Sequence, residues 1–347
     1  MNDFASNASL FQRYLPHKVD VIYFNKDPII TLADNPLFFQ KNELGSCVKQ
    51  IKDLSENYDI FVTFGWYAAA VCYLANVNYF MYFVDSFIDP EYRIRKKLSW
   101  FKKKFFDSLY KDTLKHATAV VTYIPHDVQI LKKYRNDVKV IFPFVDTITF
   151  HPNNKKINLG YDSFVFFSPQ RFDPTKGIEK IFEAIKLTRS NFVVLQTDWG
   201  HGEYYEKTRQ AKPAKVKLIP KIVRSKMPSY YVSANALLGQ IGYSGCGGTE
   251  REAILCGIPV FCYESYQYTD NDPFFKSQNL NEIANYIDKI VEDKNFRTEL
   301  TRIQNLWVNK YFDYKKLSDD WNELFEKSIN KNSNYKVKKQ YEWALKF

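Results

Sequence analysis

From Ile60 to Val84 the chain runs without a single charged side chain, and what that stretch becomes decides what kind of molecule this is. It is long enough to cross a bilayer as one helix. It also divides into Ile60–Phe64, a Gly65-Trp66 break, an Ala-rich helical run over Tyr67–Val77 and a second apolar run over Tyr79–Val84. Parallel strands covered on both faces read as such unbroken apolar runs. Asn76 and Asn78 fall where a helix-to-strand loop belongs, and their amides would be costly against lipid. The stretch is expected to be a buried β-α-β unit.

The same alternation recurs along the chain. Apolar runs at Val19–Phe24, Ala119–Tyr123 and Val138–Phe142 read as further strands of a first half, after a helical pattern over Asn2–Leu15. A second half restarts with a strand at Phe164–Ser168, a helix at Ile178–Thr188 and a strand at Phe192–Gln196. Strands at Val216–Ile219, Ala236–Gln240 and Val260–Tyr263 follow, with a short helix at Glu250–Cys256. Helical spacing then covers Leu280–Val291 and Phe296–Lys327. Strand-helix alternation of this kind implies parallel α/β architecture. The expected organisation is an N-terminal Rossmann-like domain over 1–145, a linker over 146–156, a C-terminal Rossmann-like domain over 157–325 and a basic tail over 326–347.

With 347 residues, 45% of them hydrophobic and 17% aromatic, the chain can fill two cores. Forty-nine Lys+Arg against thirty-nine Asp+Glu leave a net charge of +10, which favours anionic partners without choosing among them. The five cysteines are an odd number with no C-x-x-C pair, so neither a disulfide framework nor a zinc ribbon is expected. The first thirty residues hold no apolar signal core, and a cytosolic location is the expectation.

Two segments carry chemistry. Tyr243-Ser244-Gly245-Cys246-Gly247-Gly248-Thr249-Glu250-Arg251-Glu252 puts glycines between a strand and a helix start, where backbone can approach a ligand and free N–H groups face an anion. Thr249 and Glu252 also have capping-box spacing, a purely structural use of the same turn. Gln170-Arg171-Phe172-Asp173-Pro174-Thr175-Lys176-Gly177 follows the first strand of the same half. There the fork of Arg171 and the point charge of Lys176 can converge on one diphosphate. Both segments lie beyond the carboxyl ends of strands, where open α/β sheets bind ligands.

The Arg171-x4-Lys176-Gly177 segment, the Gly245-x6-Glu252-Ala253-x3-Gly257-x-Pro259-Val260 segment and the Val145-Asp146-Thr147-x2-Phe150-His151-Pro152 linker occur in this order. Together they resemble the retaining, metal-independent glycosyltransferases of the GT-B fold, family 4 (group 1), over roughly residues 117–325. The resemblance implies an α/β fold of two Rossmann-like α/β/α domains facing each other across a cleft, and transfer of a sugar from a UDP- or GDP-linked donor. It implies that Arg171 and Lys176 bind the donor diphosphate. Glu252, the second Glu of the family's E-x7-E motif, would hold the ribose. Gln170, Gly245, Cys246, Gly247, Gly248 and Thr249 would line the donor site. The first Glu of that motif falls on Ser244, which can hydrogen-bond a sugar but brings no charge; neighbouring Glu250 could stand in for it or merely complement the helix dipole. Asp85, ending Tyr79–Val84, matches the His or acidic residue that faces the donor from the N-domain. No metal and no cofactor beyond the nucleotide sugar are expected. The acceptor would be a glycan or a lipid-linked group held mainly by residues 1–150.

Asp270-Asn271-Asp272 has the spacing of a D-x-D metal motif but lacks the strand context, and the histidines have no i+4 partners. Ile94, Leu98, Phe101, Phe105 and Leu109 form one helical face, with Arg93, Arg95, Lys96, Lys97 and Lys102–Lys104 around it. Such a basic, aromatic helix over 92–111 suits an anionic membrane surface as well as it suits packing on a sheet. Two other readings stay open: a non-catalytic GT-B partner of another transferase, which Ser244 and the abbreviated N-terminus favour, and a basic nucleic-acid-associated protein. No nucleic-acid-binding module pattern accompanies the charge, so nucleic acid is not expected as a partner.

Overall fold

The structure is a computed structural model and describes residues 7–24, 33–39, 44–83, 99–242, 245–265, 269, 271–329 and 335–341. It falls into two compact units, Met1–Phe144 with Tyr314–Phe347, and Val145–Asp313.

The first unit contains a short parallel pair, β1 (Ile22–Phe24) and β2 (Leu37–Phe39). Its main sheet is parallel, in the order β3 (Phe61–Phe64), β4 (Tyr79–Phe83), β5 (Ala119–Thr122) and β6 (Lys139–Val140). The uncharged stretch is β3, a helix over Trp66–Ala75, and β4, as its punctuation predicts. Gly65 precedes the helix at φ 96°, and Asn76 ends it in the left-handed conformation at φ 59°. Asparagine tolerates that region better than most residues, so the residue least suited to lipid is the one that turns the chain. All five residues of β4 are buried. Among the described residues no helix is long and apolar enough to cross a membrane.

The helix over Trp100–His116 sends Leu109, Tyr110 and Leu114 into this unit's core, with Phe105 packed against it. That uses part of the face considered for a membrane. Lys102, Lys103, Lys104 and a largely exposed Trp100 remain outside, with Lys104 Nζ 3.8 Å from the Trp100 ring centre. Ile94, Leu98 and the side chain of Phe101 lie outside the described residues.

The boundary expected at 325 is not where the structure divides. The helical pattern over 296–327 is two helices, Lys294–Tyr311 and Tyr314–Ile329, and the second belongs to the first unit. Its Leu317, Trp321, Leu324 and Phe325 join Leu10, Phe11, Phe80, Tyr82 and Phe144 in one core. Trp321 is fully buried, with its ring 4.8 Å from that of Phe11 and 5.1 Å from that of Tyr82. Part of the basic tail packs on the same unit. Tyr335 stacks on Tyr73 at 5.2 Å, and the buried Tyr341 donates to Asp112 Oδ2 at 2.5 Å.

The second unit is a five-stranded parallel sheet in the order β11 (Val260–Phe261), β10 (Ala236–Leu238), β7 (Phe164–Ser168), β8 (Phe192–Asp198) and β9 (Val216–Pro220). Phe166, Ile181, Phe182, Ile185, Val194, Leu238 and Ile287 fill one side between sheet and helices. Strands 7, 8 and 9 run outward in one direction from β7, and strands 10 and 11 in the other. The order reverses between β7 and β10, and a crevice opens at their carboxyl ends at such a switch point.

Candidate functional site

The two loops leaving that switch point are the two segments singled out above. Asp173 shapes the first: its Oδ1 accepts from the Thr175 backbone N–H at 2.9 Å and from Thr175 Oγ1 at 2.6 Å, and Oδ2 accepts from Arg171 Nη2 at 2.8 Å. Burial alone would raise the Asp173 carboxyl, but the Thr175 hydrogen bonds and Arg171 outweigh it and hold the group below its ordinary value. Arg171 is about one-third exposed, and its buried Nε makes no hydrogen bond. Its guanidinium carbon lies 5.8 Å from the Trp199 ring centre, over which Lys221 also sits at 4.5 Å.

Lys176 donates to Gln240 Oε1 at 2.6 Å, across to the loop after β10. The two loops touch through backbone. Gly177 has φ 69°, and a Cβ there would stand 2.5 Å from the Gly242 nitrogen. Ile241 and Gly242 both donate to the Lys176 carbonyl, at 3.0 and 3.2 Å.

Gln240 and Glu250 knit this crossing together. The buried Glu250 Oε1 accepts from Gln170 Nε2 at 2.8 Å and from the Gln240 N–H at 3.0 Å, while Gln240 Nε2 donates to the Gly245 carbonyl at 2.7 Å. Gln170 therefore serves with its side chain inside the protein. Glu250 is a buried tie between the loops, more than a charge laid against a helix dipole. Cys246 is buried and donates its N–H to Glu264 Oε2 at 3.2 Å.

The helix after the glycine turn runs from Gly248 to Leu255 with Gly247 as its N-cap and no side-chain cap. The Thr249–Glu252 capping box does not form, because the helix begins before Thr249 and not after it. Gly247, Gly248 and Thr249 are half-buried, so the first turn offers backbone N–H groups at the crevice. Glu252 is buried a turn further on, paired with Arg224 and accepting from the Tyr231 hydroxyl at 3.4 Å. Burial pushes its carboxyl above the ordinary value, against the pull of Arg224.

The structure thus gathers Gln170, Arg171, Lys176, Gly245, Cys246, Gly247, Gly248, Thr249 and Glu252 around one switch point. Ser244, Asp85 and Asp270 lie outside the described residues. Among the described residues no cluster of His, Cys, Asp or Glu is arranged to hold a metal ion. Sequence reasoning missed Gln240, Asp173, Trp199 and Arg224. Asp173-x-Thr175 is a visible Asx-turn signal, whereas nothing in the sequence announces that Gln240 faces Lys176 or Arg224 faces Glu252.

Residues 150–306 match the model of a family described as "Glycosyl transferases group 1". No curated protein matches the chain. Among solved structures, HepE of Anabaena in complex with UDP and glucose superposes with a TM-score of 0.70 at 15% identity, covering 93% of this chain and 94% of that one. Sucrose-phosphate synthase of Thermosynechococcus elongatus gives 0.69 at 17% identity, over 93% and 91%. A glycosyltransferase of Rickettsia africae gives 0.66 at 15%, over 94% of each chain. The chain has the GT-B fold, with two Rossmann-like units of parallel α/β structure.

Proposed function

We propose that the protein is a glycosyltransferase moving a sugar from a nucleoside diphosphate sugar to a glycan or lipid-linked acceptor, with retention of configuration. The observation that carries this reading is the meeting of Arg171, Lys176 and the uncapped first turn of the Gly248–Leu255 helix at the switch point of the second sheet. A departing diphosphate accumulates negative charge, and prearranged cations and backbone N–H groups stabilise it as it forms. In this reading Arg171 and Lys176 neutralise the leaving diphosphate in place of a metal ion, Glu252 holds the ribose and Asp85 is the candidate for acting on the transferred sugar. The family match over residues 150–306 and the likeness to HepE, crystallised with UDP and glucose, support the donor class.

The test is calorimetric titration of parent, Arg171→Ala and Lys176→Ala with UDP and GDP. Losing a charge-assisted contact costs about 1.5–3 kcal/mol, so each variant should bind roughly 10- to 100-fold more weakly while its melting temperature changes little. Unchanged affinity in both would remove the diphosphate from this loop. Sugar release from UDP- and GDP-sugars to water separates an active enzyme from a non-catalytic partner, since the latter would bind donor without hydrolysing it.

A lipid-linked acceptor is favoured by the exposed Trp100 beside Lys102, Lys103 and Lys104. Each basic residue near an anionic surface contributes about 1 kcal/mol, enough together for reversible attachment. Flotation with anionic but not neutral vesicles is the expected result; equal recovery with both would remove the membrane from the account.

A further inference from the structure

Arg224 lies in the short turn Arg224–Lys226 that follows β9, a segment with no motif of its own. Its guanidinium pairs with Glu252 Oε1, with side-chain exposures of 16% for Arg224 and 5% for Glu252. Its Cζ stands 5.1 Å from the ring centre of the fully buried Phe150. Its Nε is buried without a hydrogen bond, so the guanidinium is held by the carboxylate and by packing rather than by a ring of acceptors.

A carboxylate has about four lone-pair positions, two on each oxygen. Arg224 takes one on Oε1 and the Tyr231 hydroxyl one on Oε2. One acceptor position is left on each oxygen, which matches the two donors of a vicinal diol. That arrangement needs the carboxylate ionised, since a proton would turn one oxygen into a donor. Burial favours the proton. The other groups bearing on Glu252 divide: Asp146 also favours the proton, Arg251 opposes it, and Tyr231 and Cys256 are close and uncharged at neutral pH. Arg224 is the cation in direct contact.

We propose that Arg224 is a positioning residue for the donor ribose: its guanidinium holds Glu252 Oε1 and turns the carboxylate so that its remaining acceptor positions discriminate ribo- from deoxyribonucleotides. The inference rests on Glu252 being the ribose ligand. A pair that served only to clasp the 224–226 turn to the helix would affect melting but not sugar discrimination.

The experiment titrates the full-length parent, Arg224→Gln and Arg224→Lys with UDP, GDP and their 2′-deoxy forms between about pH 6 and pH 8.5, with melting temperatures recorded alongside. The parent should prefer the ribonucleotide by about tenfold or more. Arg224→Gln keeps a hydrogen-bond donor but no charge. Its preference should fall toward unity at the acidic end and return as rising pH ionises Glu252, while its affinity for the 2′-deoxy form stays within about threefold of the parent. Arg224→Lys keeps the charge but not the planar group that packs 5.1 Å from the Phe150 ring centre, so its hold on Glu252 should loosen and its preference should be intermediate and flat with pH. Should Arg224→Gln fail to melt cooperatively, Arg224→Lys decides alone, and a parental preference there overturns the proposal. A parental, pH-independent preference in Arg224→Gln also overturns it. If the parent itself does not distinguish the two sugars, the assignment of Glu252 to the ribose has failed instead.

Discussion

Replacing Gly242 with alanine tests whether the two loops at the switch point act as one rigid device. A Cβ at Gly242 would stand 2.7 Å from the Gly177 nitrogen and from the carbonyl oxygens of Pro174 and Thr175. All three are backbone atoms, so no side chain can swing aside. Relief requires the loops to part by about half an ångström or more, since ordinary contacts of this kind begin near 3.4 Å. Parting weakens the hydrogen bonds from Ile241 and Gly242 to the Lys176 carbonyl and draws Lys176 Nζ from Gln240. Overpacking costs about 1–3 kcal/mol, and each weakened hydrogen bond adds up to about 1 kcal/mol. A loss of about 3 kcal/mol corresponds to a fall of roughly 6–12 °C in the melting of a domain this size. UDP or GDP binding should weaken at least about tenfold, because the cations no longer stand against the helix start. Gly160→Ala is the control. Gly160 also has positive φ, but a Cβ there meets nothing within 4 Å. It should lose about 1–2 kcal/mol from backbone strain alone and bind nucleotide as the parent does. Differential scanning calorimetry and nucleotide titration on both variants decide it. A Gly242→Ala protein that melts within a degree of the parent and binds normally would refute the idea that these backbones are in forced contact.

Two further outcomes follow from the packing. Trp321→Ala should destabilise the first unit by about 3–5 kcal/mol, read as a lowered transition for that unit while nucleotide affinity of the second holds; coincident loss of both would show that the units do not unfold separately. Asp288 accepts from the Arg189 and Ser190 N–H groups and from Ser190 Oγ, and these bonds outweigh burial to hold its carboxyl below the ordinary value. A depressed carboxyl contributes stability above its unfolded pKa and loses it as pH falls through the folded one. Asp288→Asn should therefore cost about 1–2 kcal/mol at neutral pH, with the gap to the parent closing in the acid range below about pH 4. A gap that stayed constant would assign the loss to shape rather than charge.

Much of this was legible in the chain because its signals are local. The β-α-β reading of 60–84 needs only the Asn76 and Asn78 interruptions, and the strand-loop-helix logic around Arg171 and Gly247 needs only residues near each other in sequence. The errors have a common cause in distance. An apolar periodicity continues from Leu300 through Trp307 to Trp321, yet Phe312 and Asp313 break the helix and the two sides fill different cores. Periodicity reports that a face is buried, not against what. Thr249 and Glu252 have the spacing of a cap, but the helix already begins at Gly248, with Gly247 so close to Glu250 that a Cβ there would stand 2.8 Å from its Oε2. The Arg224–Glu252 and Lys176–Gln240 contacts join residues separated by 28 and 64 positions, and no local rule pairs them.

The placement of Tyr314–Ile329 in the first unit has a consequence for the order in which a ribosome delivers the molecule. The second unit is one continuous stretch, Val145–Asp313, and is complete when that stretch has emerged. The first unit is not. Its core lacks Leu317, Trp321, Leu324 and Phe325 until the second unit has already been made. Domains ordinarily fold from the N-terminus onward during synthesis. Here the first unit must wait for the Tyr314–Ile329 helix, holding Phe11, Phe80 and Tyr82 uncovered while the second unit is already folded. A nascent chain halted before Tyr314 should therefore present a finished second unit and an unfinished first unit, with the apolar surface a chaperone would recognise lying in the older part.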